Sequence, residues 1–123
     1  MSIDVENSKL IKNIENIVAW KKSQQLAVSI YKTFRDNKDY SFKDQIQRAS
    51  VSISNNIAEG FARRGNKEFI HFLYIAKGSC SEVRSMLYIA LELNYISKDD
   101  FDVFLKSTEE IPKIISGLIR SLN

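Results

Sequence analysis

The chain has 123 residues, a formal net charge of +3, 44% hydrophobic residues and 27% charged residues. These values are typical of a globular domain and argue against intrinsic disorder, while one Pro and four Gly are too few for a loop-rich β-sandwich. The single cysteine excludes an internal disulfide, and no apolar run approaches the ~20 residues that span a bilayer. We therefore expect a cytoplasmic protein, with a polar lead-in over residues 1–16 and one helical domain over residues 17–123.

The first predicted helix spans residues 18–36, where apolar side chains recur at helical spacing. The second begins after Ser41, an expected N-cap, and ends near Arg64, because Gly65 suits the position just beyond a helix. Its apolar positions are Phe42, Ile46, Ala49, Ile53 and Ile57.

The third predicted helix spans about residues 67–93, with Asn66 as its expected N-cap. The fourth begins after the N-cap Ser97, and Pro112 lies inside it. Because proline lacks the backbone N–H, we expect Pro112 to kink this helix or to split it. All connections are short, and short connections join antiparallel neighbours. The sequence thus predicts an all-α fold, an antiparallel up-down-up-down four-helix bundle.

Small residues form a continuous ridge along the second predicted helix. They lie four residues apart and therefore share one face: Ser50, Ser54, Ala58 and Ala62. Small side chains let another helix approach closely. The ridge predicts tight packing inside the bundle, which we favour, or a contact between subunits.

Basic residues outnumber acids between residues 61 and 77. They are Arg63, Arg64, Lys67 and Lys77, and the acid is Glu68. In an isolated monomer the pattern is explained by cations at a helix end and by a helical pair between Glu59 and Arg63. The functional alternative is a phosphate-binding corner that contacts RNA or DNA backbone when repeated around an oligomer. His71 and Tyr74 lie near enough in sequence to stack on bases.

Metal, cofactor and catalytic sites are not expected. Glu68 and His71 have the Glu-x-x-His spacing of di-iron bundles, but those sites need two such motifs and His71 is the chain's single histidine. The sequence contains no Gly-rich phosphate loop and no Gly-x-Ser-x-Gly motif. Cys80 falls on an apolar stripe, where a buried, inert thiol is typical.

Several motifs in order resemble a known family. They are residues 45–53, Asn56-Ile57-Ala58-Glu59-Gly60-Phe61, Arg63-Arg64-Gly65-Asn66-Lys67-Glu68-Phe69, Trp20-Lys21-Lys22 and Glu92-Leu93-Asn94-Tyr95-Ile96. They resemble the bacterial four-helix-bundle proteins called 23S rRNA-intervening sequence proteins, which are typically encoded in insertions within the large-subunit rRNA gene. The chain departs from that family at Ser54, where Pro is frequent, and at Pro112, where Gly is common.

The resemblance implies a homo-oligomer, usually a pentameric ring. The family is also similar to the accessory variability proteins of diversity-generating retroelements, basic pentamers that bind nucleic acid and a reverse transcriptase. On that similarity Arg48 joins Arg63, Arg64 and Lys67 as a candidate phosphate contact. The implied partners are further copies of the chain, RNA or DNA, and a reverse transcriptase or another protein.

Two functions remain open at this point. The first is a non-enzymatic, homo-oligomeric RNA-binding or adaptor protein. The second is a structural protein–protein interaction module without affinity for nucleic acid. The net charge of +3 is low for a strong RNA binder, which favours the second, whereas the basic run and the resemblance favour the first.

Overall fold

The computed structural model describes residue 14 and residues 17–123, so the predicted lead-in over residues 1–16 lies outside the described residues except at Ile14. The described chain forms four helices and no strand. They are α1 (Val18–Thr33), α2 (Tyr40–Phe61), α3 (Asn66–Glu92) and α4 (Lys98–Leu122). The all-α prediction is confirmed.

Neighbouring helices contact each other in reversed order along the chain. Between α3 and α4 the contacting pairs are Asn66 with Leu122, Cys80 with Thr108, and Tyr88 with Phe101. Between α2 and α3 they are Phe61 with Phe69 and Ser52 with Ser79. Just outside the two helices, Asp39, the N-cap of α2, contacts Tyr95, which follows α3. Later residues of one helix thus meet earlier residues of the next, as antiparallel packing requires. Because α1 contacts both α2 and α4, the four helices close into a bundle.

The core lies along the bundle axis and receives apolar side chains from all four helices. The fully buried ones include Ile30, Phe34, Ile53, Leu73, Leu87 and Ile115. Burying one such side chain contributes about 1.5–3 kcal/mol. Of the apolar positions named for the second helix, four are buried and Phe42 is half-buried: Ile46, Ala49, Ile53 and Ile57.

The N-cap predicted for α2 is wrong. Ser41 lies inside the helix, and the carboxylate of Asp39 accepts the hydrogen bond from the Phe42 N–H at 3.2 Å. A hydrogen bond from the Tyr95 hydroxyl also reaches Asp39, at 2.7 Å. Sequence neighbours alone do not indicate this long-range contact. The predicted end of α1 was also too late, because the helix ends at Thr33.

The α2–α3 turn is longer than the sequence indicated. Helix α2 ends at Phe61 rather than near Arg64. The prediction of Asn66 as the N-cap of α3 is wrong, because Gly65 takes that position with φ of +83° and Asn66 is already helical. The Asn66 amide instead donates to the carbonyl of Leu122 at 3.1 Å. By contrast, the Ser97 cap is confirmed, since its hydroxyl accepts from the Asp100 N–H at 3.1 Å.

Helix α4 continues unbroken through Pro112, so of the two predicted outcomes a split does not occur. Proline removes the hydrogen bond that would reach the carbonyl of Thr108, four residues earlier. The Cys80 thiol donates to that carbonyl, with Sγ 3.6 Å from the oxygen. This contact from α3 partly replaces the missing bond.

Candidate nucleic-acid interface

The close approach of α2 and α3 fixes the geometry of the basic turn between them. A Cβ atom added at Gly60 would lie 2.7 Å from Cβ of Phe72 and 3.0 Å from Phe69, so only glycine fits there. Further along the same seam, the hydroxyls of Ser52 and Ser79 are hydrogen-bonded at 2.9 Å. The two helix backbones are therefore held close together just before the turn.

The predicted small-residue ridge lies on a different side of α2. Ser50 and Ser54 are buried, and Gln24 of α1 donates to the Ser54 hydroxyl at 3.3 Å. Ala58 is half-buried and Ala62 is exposed. The first half of the ridge therefore lies inside the bundle beside α1, and the second half reaches the surface.

Three of the predicted phosphate contacts lie together at the α2–α3 turn. Arg63 pairs with Glu59 at 3.3 Å, and its guanidinium lies 5.0 Å from the centroid of the Phe72 ring. Arg64 and Lys67 are exposed and form no ion pair within residues 17–123. We call Arg63, Arg64 and Lys67 the turn cluster.

Lys77 lies apart from the turn cluster, in a shallow groove between α3 and α4. The groove is lined by Lys77, Pro112, Lys113, Ser116 and Arg120. Lys113 and Arg120 are not among the contacts predicted from the sequence. A signal for them was present, because an antiparallel α4 must bring its last turns beside the first turns of α3.

Arg48 is not part of either group. It lies on α2, 13 positions before the helix ends at Phe61, which is roughly 20 Å along the helix axis. Its guanidinium pairs with Asp44 at 2.9 Å, and its side chain is 79% exposed. The structure therefore separates Arg48 from the four other predicted contacts.

The remaining candidates for chemistry lie in ordinary packing environments. Burial raises the pKa of the Cys80 thiol to about 11, an effect that nearby Arg84 partly offsets, so the thiol stays protonated at neutral pH. His71 is exposed, with its ring at 5.4 Å from that of Phe72. No group of three or more His, Cys, Asp or Glu side chains in the described part of the chain could hold a metal ion.

The opposite end of the bundle has a different polar structure. The Tyr95 hydroxyl and, to a smaller extent, the Phe42 N–H donate hydrogen bonds to the Asp39 carboxylate. Because they stabilise its charged form, they lower the pKa of Asp39. The same bond to Asp39 raises the pKa of Tyr95, and burial adds to the rise. The ring of Phe42 packs between two other rings, with its centroid 5.9 Å from that of Phe34 and 5.3 Å from that of Tyr95.

Comparisons with known proteins agree with this architecture. A crystal structure of a protein of unknown function from the S23 ribosomal protein family of Bacteroides thetaiotaomicron superposes with a TM-score of 0.78 at 28% sequence identity. The match covers 84% of this chain and 99% of that one. Among curated proteins, no significant match is found.

None of the four helices in the described part of the chain contains an 18-residue stretch with the hydropathy of a membrane span. The model of the 23S rRNA-intervening sequence protein family matches residues 15–117. That range contains the motif at residues 56–61, the turn cluster and the close-packed helices α2 and α3. The chain belongs to the 23S rRNA-intervening sequence protein family.

Proposed function

We propose that the protein is a non-enzymatic homo-oligomer that binds RNA backbone, directly or as an adaptor, through its turn cluster. The observation that carries this proposal is the grouping of three cations at one turn, two of them without an acidic partner in residues 17–123. An exposed cation without a partner carries its charge into solution, where a phosphate can replace its counterion.

Arg63 gives the turn cluster a fixed member. Its guanidinium is held by Glu59 and by the face of Phe72, and the side chain remains 45% exposed. Arg64 and Lys67 follow it in the chain, are exposed and can adjust to a phosphate. A charge held in place loses less rotamer freedom on binding than a freely moving one.

One subunit supplies too few cations for strong binding, so the proposal includes assembly. Linking several weak sites raises the apparent affinity without any new contact, provided the RNA can reach more than one of them. A ring of copies would place equivalent turn clusters around one edge. A pentamer is the number that the family resemblance implies.

Two unlike surfaces support contact between copies. The first is an apolar groove between α1 and α2, lined by Val28, Tyr31 and Val51 and flanked by Lys32 and Arg35. The second is the outer face of α3, which carries exposed Ile75 and Ile89 together with Glu82 and Glu92. Apolar side chains on both faces, with cations on one and acids on the other, favour a head-to-tail contact. Such contacts generate rings when the rotation closes.

Gly78 gives the second surface a further feature. Within a helix glycine costs about 1 kcal/mol relative to alanine. A Cβ atom at Gly78 would have no described atom within 4 Å, so packing inside the described monomer does not require glycine there. A second helix crossing at this point would require it.

Light scattering on the purified protein tests the assembly. We expect a mass of several subunits for the wild type and a lower mass for Ile89→Glu, which places a charge in the proposed contact. Val103→Glu is the matched control, because Val103 is an exposed apolar residue on α4 outside both surfaces. A monomeric wild type would contradict the assembly, and equal effects of both variants would contradict the assigned surface.

Titration of a labelled RNA stem-loop between about 50 and 200 mM salt tests the RNA contact. We expect the double variant Arg64→Ala, Lys67→Ala to bind more weakly. The slope of its log affinity against log salt should fall by roughly 0.7–0.9 for each phosphate that is no longer bound. The control is Lys38→Ala, Lys106→Ala, which removes the same charge from exposed sites elsewhere.

The control separates a site from a general charge effect. If both double variants lose the same affinity, the turn cluster is not the site. An oligomeric wild type without measurable RNA affinity would support the alternative, a structural module whose apolar faces dock protein. The two exposed apolar surfaces favour that alternative independently of charge.

A further inference from the structure

The groove between α3 and α4 brings together three cations that are distant in sequence. Lys77 comes from the middle of α3, and Lys113 and Arg120 come from the second half of α4. Lys113 and Arg120 are seven residues apart, which is about 10 Å along the axis. This separation suits a run of phosphates better than a single small anion.

Acidic side chains do not neutralise this groove. None of its described lining residues is acidic, and the hydroxyl of Ser116 adds a hydrogen-bond donor. Glu109, one turn before Lys113 on α4, is paired across the seam with Arg84 at 3.3 Å. The three groove cations form no ion pair within residues 17–123.

An exposed aromatic ring lies beside one of these cations, Lys77. Tyr74 is 57% exposed, and Nζ of Lys77 lies 5.6 Å from its ring centroid. On α3, Tyr74 lies about halfway between Asn66 and Cys80. Because these two residues contact Leu122 and Thr108 of α4, Tyr74 is level with the groove. An aromatic face next to a line of cations is the arrangement that holds single-stranded nucleic acid by base stacking and phosphate contacts together.

We propose that the α3–α4 groove binds a single-stranded RNA segment, with one base stacked on Tyr74 and the flanking phosphates on Lys77, Lys113 and Arg120. This inference rests on the proposed RNA binding and adds a second site and a strand preference to it. A duplex keeps its base faces stacked on one another, so it offers phosphates to the groove but no base face to Tyr74.

The opposite end of the bundle provides an internal comparison. Tyr40 is 69% exposed, and Nζ of Lys43 lies 5.8 Å from its ring centroid, so the Tyr–Lys geometry is repeated there. Acids surround that pair, because Asp39 precedes it and Asp44 follows it. Lys43 also donates to the carbonyl of Arg35 at 2.7 Å. Both sites therefore have an exposed tyrosine ring beside a lysine. The difference is that acids alternate with the cations around Tyr40, whereas the described lining of the α3–α4 groove contains no acid.

The test compares Tyr74→Ala with Tyr40→Ala, using a short labelled single-stranded RNA of mixed sequence and the duplex of the same length. We expect Tyr74→Ala to weaken binding of the single strand roughly 5- to 150-fold, the range for loss of one stacked base. Its duplex affinity should not change. Tyr40→Ala should match the wild type on both RNAs, and Tyr74→Phe should bind the single strand as the wild type does.

A second variant tests the phosphate contacts. Lys113→Ala with Arg120→Ala should reduce the salt slope for the single strand by roughly 0.7 for each phosphate that is no longer bound. Equal loss for single strand and duplex on Tyr74→Ala, or no loss for either, would overturn the groove proposal. If the groove variants bind normally while the turn-cluster variant does not, the groove fails and the proposed function stands. If the wild type binds neither RNA, both fail.

Discussion

The two ends of the bundle are held together by different means. At the end opposite the α2–α3 turn, where α1 meets α2 and α3 meets α4, polar and aromatic side chains join the helices. There the Tyr95 hydroxyl donates to Asp39 at 2.7 Å, and the Phe42 ring packs between those of Phe34 and Tyr95. At the α2–α3 end, cohesion comes from the fit of the helix backbones, with Gly60 against Phe72. The Asn66 amide adds one bond to α4 there.

The balance of acidic and basic residues also differs between the two ends. Around the opposite end the acids include Asp36, Asp39, Asp44, Glu92, Asp99, Asp100 and Asp102. Around the α2–α3 end the cations include Arg63, Arg64, Lys67, Lys113 and Arg120. Because the fit of the α2 and α3 backbones at Gly60 holds these helices together, the exposed side chains of the turn are not needed for that contact and remain available to a partner.

The largest expected effect on stability lies at the opposite end. Phe34 is fully buried, and we expect Phe34→Ala to lower the free energy of unfolding by about 3–5 kcal/mol, because its cavity cannot collapse completely. Phe61→Ala, which truncates a half-buried ring at the α2–α3 end, should cost less. Urea denaturation measures both, and a larger loss at Phe61 would reverse the comparison.

Gly60 and Gly78 form a matched pair that tests backbone fit. Gly60→Ala should destabilise the fold, because overpacking of about 1–3 kcal/mol exceeds the gain in helix propensity of at most about 1 kcal/mol. Gly78→Ala has open space in the monomer and should stabilise it by up to about 1 kcal/mol, while weakening assembly if another helix crosses there. Chemical denaturation and light scattering separate the two effects. Stabilisation by Gly60→Ala would contradict the tight seam.

Tyr95→Phe tests the bond between Tyr95 and Asp39 through the pH dependence of the free energy of unfolding. Because the pKa of Asp39 is lowered in the fold, its stabilising contribution is present above the ordinary aspartate pKa and is lost as pH falls through the lowered value. Tyr95, with a raised pKa, contributes below its ordinary value and loses that contribution as pH rises through the raised one.

The free energy of unfolding of Tyr95→Phe should therefore differ most from that of the wild type at pH values between the lowered pKa of Asp39 and the raised pKa of Tyr95. The Asp39 carboxyl resonance, followed by NMR, should titrate at a higher pH in Tyr95→Phe than in the wild type. An unchanged titration would show that the Phe42 N–H alone lowers this pKa.

The smallest expected effect on stability is at the turn cluster. Arg64→Ala with Lys67→Ala should change the free energy of unfolding by no more than about 0.5 kcal/mol per substitution, because both side chains are exposed. Thermal unfolding, measured alongside RNA titration, checks this. A large loss of stability would mean that these cations serve the fold and would remove the basis for assigning them to a partner.

Local signals predicted the helices well and their caps unevenly. The Ser97 cap was predicted because its partner, Asp100, lies three residues away. The true cap of α2, Asp39, is equally local, with the Phe42 N–H three residues away, but Tyr95, 56 residues away, gives it a second bond that only the fold shows. The Asn66 side chain donates to Leu122, also 56 residues away, and does not cap α3. Cap residues are a local preference, and a contact from another helix can override it.

The sequence by itself determined four amphipathic helices, their order and their antiparallel packing, because helical spacing and short connections depend on local residues alone. It also identified the turn cluster, whose members are neighbours in the chain. Only the tertiary structure decided that Ser50 and Ser54 lie inside the bundle and that Lys113 and Arg120 join Lys77. Those relations depend on how the helices are rotated and which residues face each other across a seam.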